Sequence, residues 1–132
     1  MRAMTISYLT PSREHLEQLN RIASGMRVAV VALDSLSELE RQLGSDEPSA
    51  ILTDCQLPDG DWRDVIAISQ SRSTPVPVVV TAQTDSASLW SEVAEAGARD
   101  LLARPFYPAE VRQCFAALQE ERSTKQLAEA TI

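Results

Sequence analysis

Ala50-Ile-Leu-Thr-Asp54-Cys-Gln-Leu-Pro-Asp-Gly60 is the stretch on which the reading of the fold turns. Ala50–Asp54 is apolar until its last residue, and a short apolar run closed by turn residues reads as a buried strand. Leu57-Pro-Asp-Gly-Asp61 reads as a loop from its turn formers. The strand therefore delivers a carboxylate, Asp54, to its C-terminal end.

The same alternation of short β-branched runs and amphipathic stretches extends in both directions. Upstream, Met4–Leu9 reads as a first strand. Ser12 caps a helix with Leu16, Leu19 and Ile22 at helical spacing, ended by Gly25. Arg27–Ala32 reads as a second strand. Asp34 or Ser35 then caps a helix carrying Leu36, Leu39 and Leu43, which stops at Gly44, and Asp46–Pro48 turns the chain into Ala50.

Downstream, a third helix is expected over Trp62–Arg72 and a turn over Ser71–Pro75. Val76–Thr81, nearly all β-branched, is the buried central strand, with Pro77 tolerable near its start. A fourth helix spans Ser86–Ala96 and ends at Gly97. Asp100–Ala103 is a short fifth strand, Arg104-Pro105 breaks the chain, and a fifth helix starts near Tyr107-Pro108 with Val111, Cys114, Phe115 and Leu118 on one face.

Five strands alternating with five helices predict an α/β fold. Right-handed crossovers make it a doubly wound five-stranded parallel sheet in a three-layer α/β/α sandwich. Residues 1–120 are read as one domain and 121–132 as a helix extension, linker or tail.

Composition agrees with one domain: 132 residues, 44% hydrophobic and 23% charged. The net charge of -7 argues against direct nucleic-acid binding and against anionic membranes, which both need basic surface. No run approaches the roughly 20 apolar residues of a membrane span. The N-terminus lacks a signal-peptide apolar region, and Cys55 and Cys114 form no paired motif, so a reduced, cytoplasmic setting is expected. His15, the single histidine, is read as a solvated helix residue.

In a doubly wound sheet the chemistry lies at the C-terminal strand ends. Those ends here carry Tyr8-Leu9-Thr10, Asp54, Thr81-Ala82 and Ala103-Arg104-Pro105-Phe106. A carboxylate, a hydroxyl and a cation would converge on one crevice: a phosphoryl acceptor beside groups able to bind phosphoryl oxygens.

Ile51-Leu-Thr-Asp54-Cys-Gln-Leu-Pro-Asp-Gly60, Val79-Val-Thr81-Ala82, Gly97-Ala98 and Arg104-Pro105-Phe106, in this order and at these strand positions, resemble bacterial response-regulator receiver domains. The resemblance covers roughly Met4–Leu118. It implies the flavodoxin-like strand order 2-1-3-4-5 and a non-enzymatic role in two-component phosphorelay signalling. Asp54 matches the aspartate that takes phosphate from a sensor histidine kinase or phosphotransfer protein. Thr81 and Ala82 match the phosphoryl-binding segment, Arg104 matches its lysine, and Gln56 matches the residue whose carbonyl helps hold Mg2+. Leu101 stands where a switching aromatic is common. Output to a downstream protein or domain, and homodimerisation, would run through the face built from helix four, strand five and helix five.

Four departures qualify this. Strand one ends in Ser7-Tyr8-Leu9-Thr10, without the acids that hold Mg2+ in that family, so Asp54 and Gln56 are expected to form a weak or absent site. Arginine replaces lysine at 104, and an Arg104–Asp54 pair is expected in place of the cation. Trp62 replaces a glycine and is read, with Leu101, as part of a switch or partner face; Leu101 itself is the fourth departure. Asp59 and Asp61 are read as loop solvation, Cys55 as a packed thiol and Trp90 as half-buried. The alternative to a phosphorylated switch is a phosphorylation-independent pseudo-receiver that works as a protein-interaction module. A flavodoxin-like cofactor enzyme is disfavoured because Tyr8-Leu9-Thr10-Pro11-Ser12 makes a poor phosphate cradle.

Overall fold

Parallel strands whose alternate residues face opposite sides build the molecule outward from one sheet. The computed structural model describes residues 3–43, 48–72, 74–83 and 87–130, with the backbone alone over 126–130. The strands are β1 (Met4–Leu9), β2 (Val28–Leu33), β3 (Ala50–Asp54), β4 (Val78–Ala82) and β5 (Asp100–Ala103), all parallel, in the spatial order β2-β1-β3-β4-β5. The helices are α1 (Arg13–Ile22), α2 (Leu36–Gln42), α3 (Trp62–Gln70), α4 (Ala87–Ala96) and α5 (Pro108–Ala130). This is the expected doubly wound sandwich in the expected order.

Alternate strand residues feed two separate cores. Ile6, Tyr8, Val30, Ala50, Leu52, Val79 and Leu102 pack with Leu19 of α1 and with Val111, Phe115 and Leu118 of α5. Leu9, Leu33, Ile51, Val78 and Val80 pack on the other side with Leu36 and Leu39 of α2, Val65 and Ile66 of α3, and Val93 of α4. Every residue of β3 and β4 is buried, as central strands covered on both faces require.

Helix starts follow side-chain caps. Ser12 accepts from His15 N–H and Ser35 from Glu38 N–H. Asp61 and Asp64 form a reciprocal capping box at α3. The acids read as loop solvation are thus structural: Asp61 starts α3, and Asp59 accepts the Leu36 N–H at the start of α2. The expected loop at 57–61 is a two-residue antiparallel hairpin, Gln56–Leu57 against Gly60–Asp61. A Cβ on Gly60 would run into Asp64 Oδ2 and Leu36 Cδ1, so this close approach needs glycine.

Boundaries shifted where the backbone demanded it. Arg27 lies at φ 58, so β2 starts one residue later, and α1 stops at Ile22 ahead of the Gly25 turn. Proline at 77 has no N–H to pair, and β4 begins at Val78 while the Pro77 carbonyl accepts from Ile51 N–H. α3 ends at Gln70, and the C-cap Ser71 returns its N–H to the Ala67 and Ser69 carbonyls. The expectations for Gly44, the turn at Asp46 and Ser86 fall outside the described residues. α5 continues as helix through Ala130.

The outer edge of β2 is closed by a side chain. Val30 turns its N–H and C=O away from β1, and the Asn20 amide of α1 satisfies both, donating at 3.1 Å and accepting at 3.2 Å. Asn20 thus does for one residue what a neighbouring strand would do.

Two stability outcomes follow, both read by urea unfolding. Asn20→Ala breaks two hydrogen bonds and is expected to cost about 1–3 kcal/mol. Phe115→Ala empties the α1–α5 core and is expected to cost about 3–5 kcal/mol.

Candidate functional site

Register and parity decide which side chains meet at the C-terminal edge of the sheet. Asp54 is the register partner of Thr81, and Leu9 pairs with Thr53, which sets Thr10 beside Asp54. Tyr8 and Thr10 share one parity in the first strand segment. Asp54 shares it with Leu52, and Thr81 shares it with Val79. All four side chains therefore point to the α1–α5 side, and all four are buried, Asp54 with 6% exposure.

Asp54 is held by three hydroxyls. Tyr8 Oη donates to Oδ1 at 2.5 Å, Thr81 Oγ1 donates to Oδ1 at 2.7 Å, and Thr10 Oγ1 donates to Oδ2 at 2.6 Å. Each hydroxyl has one proton. With both protons committed to Asp54, the 3.1 Å approach of Tyr8 Oη to Thr81 Oγ1 is two donors crowding one acceptor. Thr10 Oγ1 accepts from Ser12 N–H at 3.0 Å, which links the carboxylate to the first turn of α1. Burial first, then the charge of Asp54, holds the Tyr8 phenol far above its ordinary range, so it stays protonated and donates. A hydrogen bond to a charged group contributes about 1.5–3 kcal/mol, and Asp54 accepts three.

Tyr8 and Thr10 were missed by the sequence reading, which searched that stretch for acids. The signal was present: alternation in strand one puts residues 8 and 10 on one face, and parallel register puts 10 beside 54.

The expected Arg104–Asp54 ion pair is absent among the described residues. Arg104 follows β5, its N–H bonded to the Ala82 carbonyl at 2.7 Å and its peptide bond to Pro105 cis. Its guanidinium turns toward α1, with Nη1 3.3 and 3.4 Å from the two ring nitrogens of His15, and its buried Nε has no partner. His15 is itself half-buried and stands edge-on to Phe106, with ring centroids 6.1 Å apart. The solvated reading of His15 is corrected accordingly: Phe106 and Arg104 pack against its ring. Asp54, already supplied with three protons, leaves little for a guanidinium to bind.

Trp62 also departs from expectation. It is the first residue of α3, only 3% exposed, and sits in the core under α2, α3 and α4, with the Arg63 guanidinium 4.4 Å over its ring. A residue so enclosed offers no surface to a partner. Leu101 is half-buried against the same core. Trp90, read as half-buried, is 43% exposed on α4, and Tyr107 is exposed just before α5. Ala82 is buried at the end of β4, and Gln56 is exposed in the hairpin. Cys55 is half-buried, its thiol pushed up by burial and directed at the Thr81 carbonyl at 3.5 Å.

A divalent cation of the Mg2+ type needs about six oxygen ligands and is usually held by one or two carboxylates together with water. Here one carboxylate faces the pocket and both its oxygens already accept O–H donors. Among the described residues no three acidic, histidine or cysteine side chains gather to hold an ion. The described residues thus offer that cation one carboxylate and no second acid, a poor fit that agrees with the expected weak site.

Comparison with known proteins gives the family. The family model for the response regulator receiver domain matches residues 11–116. A search of curated proteins found no match. Among solved structures, the chain is similar to a putative response regulator from Chloroflexus aurantiacus (24% identity, 89% of this chain and 98% of that one, TM-score 0.76). It is similar to the signal receiver domain of a putative Luxo repressor protein from Vibrio parahaemolyticus (17% identity, 98% of both chains, TM-score 0.85). It is also similar to the receiver domain of a sensor histidine kinase from Pseudomonas aeruginosa, whose structure has a magnesium ion coordinated in its active site cleft (20% identity, 89% of this chain and 96% of that one, TM-score 0.72). The structural likenesses speak to fold, and the sequence match to residues 11–116 carries the assignment: this chain belongs to the response regulator receiver domain family.

Proposed function

We propose that this chain is a receiver module of two-component signalling that acts through protein contacts independently of phosphorylation. The observation that carries the reading is the state of Asp54: both carboxylate oxygens are occupied by the hydroxyls of Tyr8, Thr10 and Thr81. A nucleophilic carboxylate must present a free lone pair to phosphorus, and a metal must offset the incoming charge. Here three donors take three of the carboxylate's roughly four lone-pair sites, and among the described residues no second acid stands by to hold a metal. Asp54 serves instead as a buried polar anchor that joins β1, β3 and β4 at the edge where such modules are regulated.

The surface reading follows from exposure and charge. Trp90 on α4 and Tyr107 just before α5 are exposed, which supports a partner face built from α4, β5 and α5. Aromatic side chains on an otherwise charged surface are favoured anchors for a partner protein. A downstream protein, an output domain or a second copy of the chain would be read there, in a cytoplasmic setting consistent with the net charge of -7. No catalytic role is assigned. No helix among the described residues is long and apolar enough to cross a membrane.

A second reading keeps Asp54 as phosphoacceptor from a sensor histidine kinase or phosphotransfer protein, with output through the same face. It is favoured by the placement of Asp54 directly opposite Thr81 at the C-terminal strand ends, with Arg104 at the rim.

Intact-mass measurement after incubation with Mg2+ and a small acyl-phosphate donor separates the two. The wild-type chain is expected to gain no phosphoryl group. A phosphoryl adduct that disappears in Asp54→Asn would establish the phosphoacceptor reading instead.

A further inference from the structure

We propose that Tyr8 and Thr10 are this chain's built-in substitute for a divalent cation: hydroxyl donors that stabilise the buried Asp54 carboxylate by hydrogen bonds and compete with metal ions for it. The inference concerns the regulation of the same site and rests on the reading of Asp54 as a hydroxyl-held carboxylate.

The argument starts from the cost of burial. A carboxylate with 6% exposure must be compensated by an opposite charge or by hydrogen bonds. Among the described residues no cation pairs with Asp54, since Arg104 is directed to His15. Compensation falls to hydroxyl donors whose oxygens lie 2.5, 2.6 and 2.7 Å from the carboxylate, two of them from β1 and the residue that follows it. An acid on that strand would add negative charge and call for a cation, whereas a hydroxyl supplies a proton and removes the need for one.

The donors are not free to turn away. The Tyr8 ring is fully buried among Ile6, Leu52, Val79 and Phe106, so its hydroxyl is aimed by the α1–α5 core. Thr10 Oγ1 already accepts the Ser12 N–H, which leaves its own proton for Asp54 Oδ2. An ion seated on Asp54 would have to compete with these three donors for the carboxylate's lone pairs, and would gain a single carboxylate in return.

The test uses Mn2+, a hard oxygen-seeking ion, titrated into the full chain and followed by the paramagnetic resonance signal of the free ion. Wild type is expected to show no saturable site. Thr10→Asp, which replaces one donor by a second carboxylate and still leaves an acceptor for the Ser12 N–H, is expected to gain a saturable site that is lost again in Thr10→Asp/Asp54→Asn. A saturable wild-type site abolished by Asp54→Asn overturns the proposal. So does a Thr10→Asp chain that is folded by circular dichroism and ignores Mn2+. Should Thr10→Asp fail to fold, the wild-type and Asp54→Asn titrations decide alone. Phosphorylation is scored separately by mass, so a metal-binding wild type that gains no phosphoryl group would sink this proposal and leave the phosphorylation-independent reading standing.

Discussion

A carboxylate taken out of water without a cation beside it must be met by protons, and the C-terminal edge of the sheet is organised around that requirement at Asp54. Tyr8 reaches it from beneath, from inside the α1–α5 core. Thr81 reaches it from the adjacent strand, and Thr10 from the strand on the other side. Thr10 in turn holds the Ser12 N–H at the start of α1. Three strands and one helix terminus thus depend on one acceptor. Removing any one donor leaves the carboxylate partly unsatisfied, and such groups are costly where solvent cannot enter.

The same parity that builds the core builds this cluster. Side chains on alternate strand positions feed either the α1–α5 core or the α2–α3–α4 core, and the site is the continuation of the first set past the last apolar residue. The core therefore sets the precision of the site. Tyr8 belongs to both, its ring to one and its hydroxyl to the other. The rim follows a different rule. Arg104 packs on His15, and His15 stands against Phe106, so α1 and the segment after β5 touch through these three side chains. In this member of the response regulator receiver domain family, Asp54 is thus held by the chain's own hydroxyls.

Much of this was legible in the chain. The apolar run Ala50–Thr53 ending in Asp54, the β-branched run ending in Thr81 and the capped amphipathic stretches between them determine strands, helices and layer order, because hydrophobic periodicity and turn chemistry are local properties. The absence of acids on strand one was equally plain, as was the grouping of Asp54, Thr81 and Arg104 at strand ends. Side-chain direction was harder. Trp62, at a position suggesting an exposed partner surface, is drawn into the core beside Val65 and Ile66 because the first turn of α3 lies over the sheet. Asp59 and Asp61 could have been free loop acids, and they are caps because two helix starts lie within reach.

By itself, then, the sequence determined the fold class, the place of Asp54 at a strand end and the lack of a second carboxylate on strand one, while the strand order came from the family resemblance. Tertiary structure alone decided what takes the place of that carboxylate. Whether Arg104 or a hydroxyl would reach Asp54 depends on the register of three strands from distant parts of the chain, on the core that aims the Tyr8 ring, and on the α1 turn that orients Thr10. Those are long-range packing constraints, and no local pattern of residues encodes which of two competing donors arrives at the acceptor first.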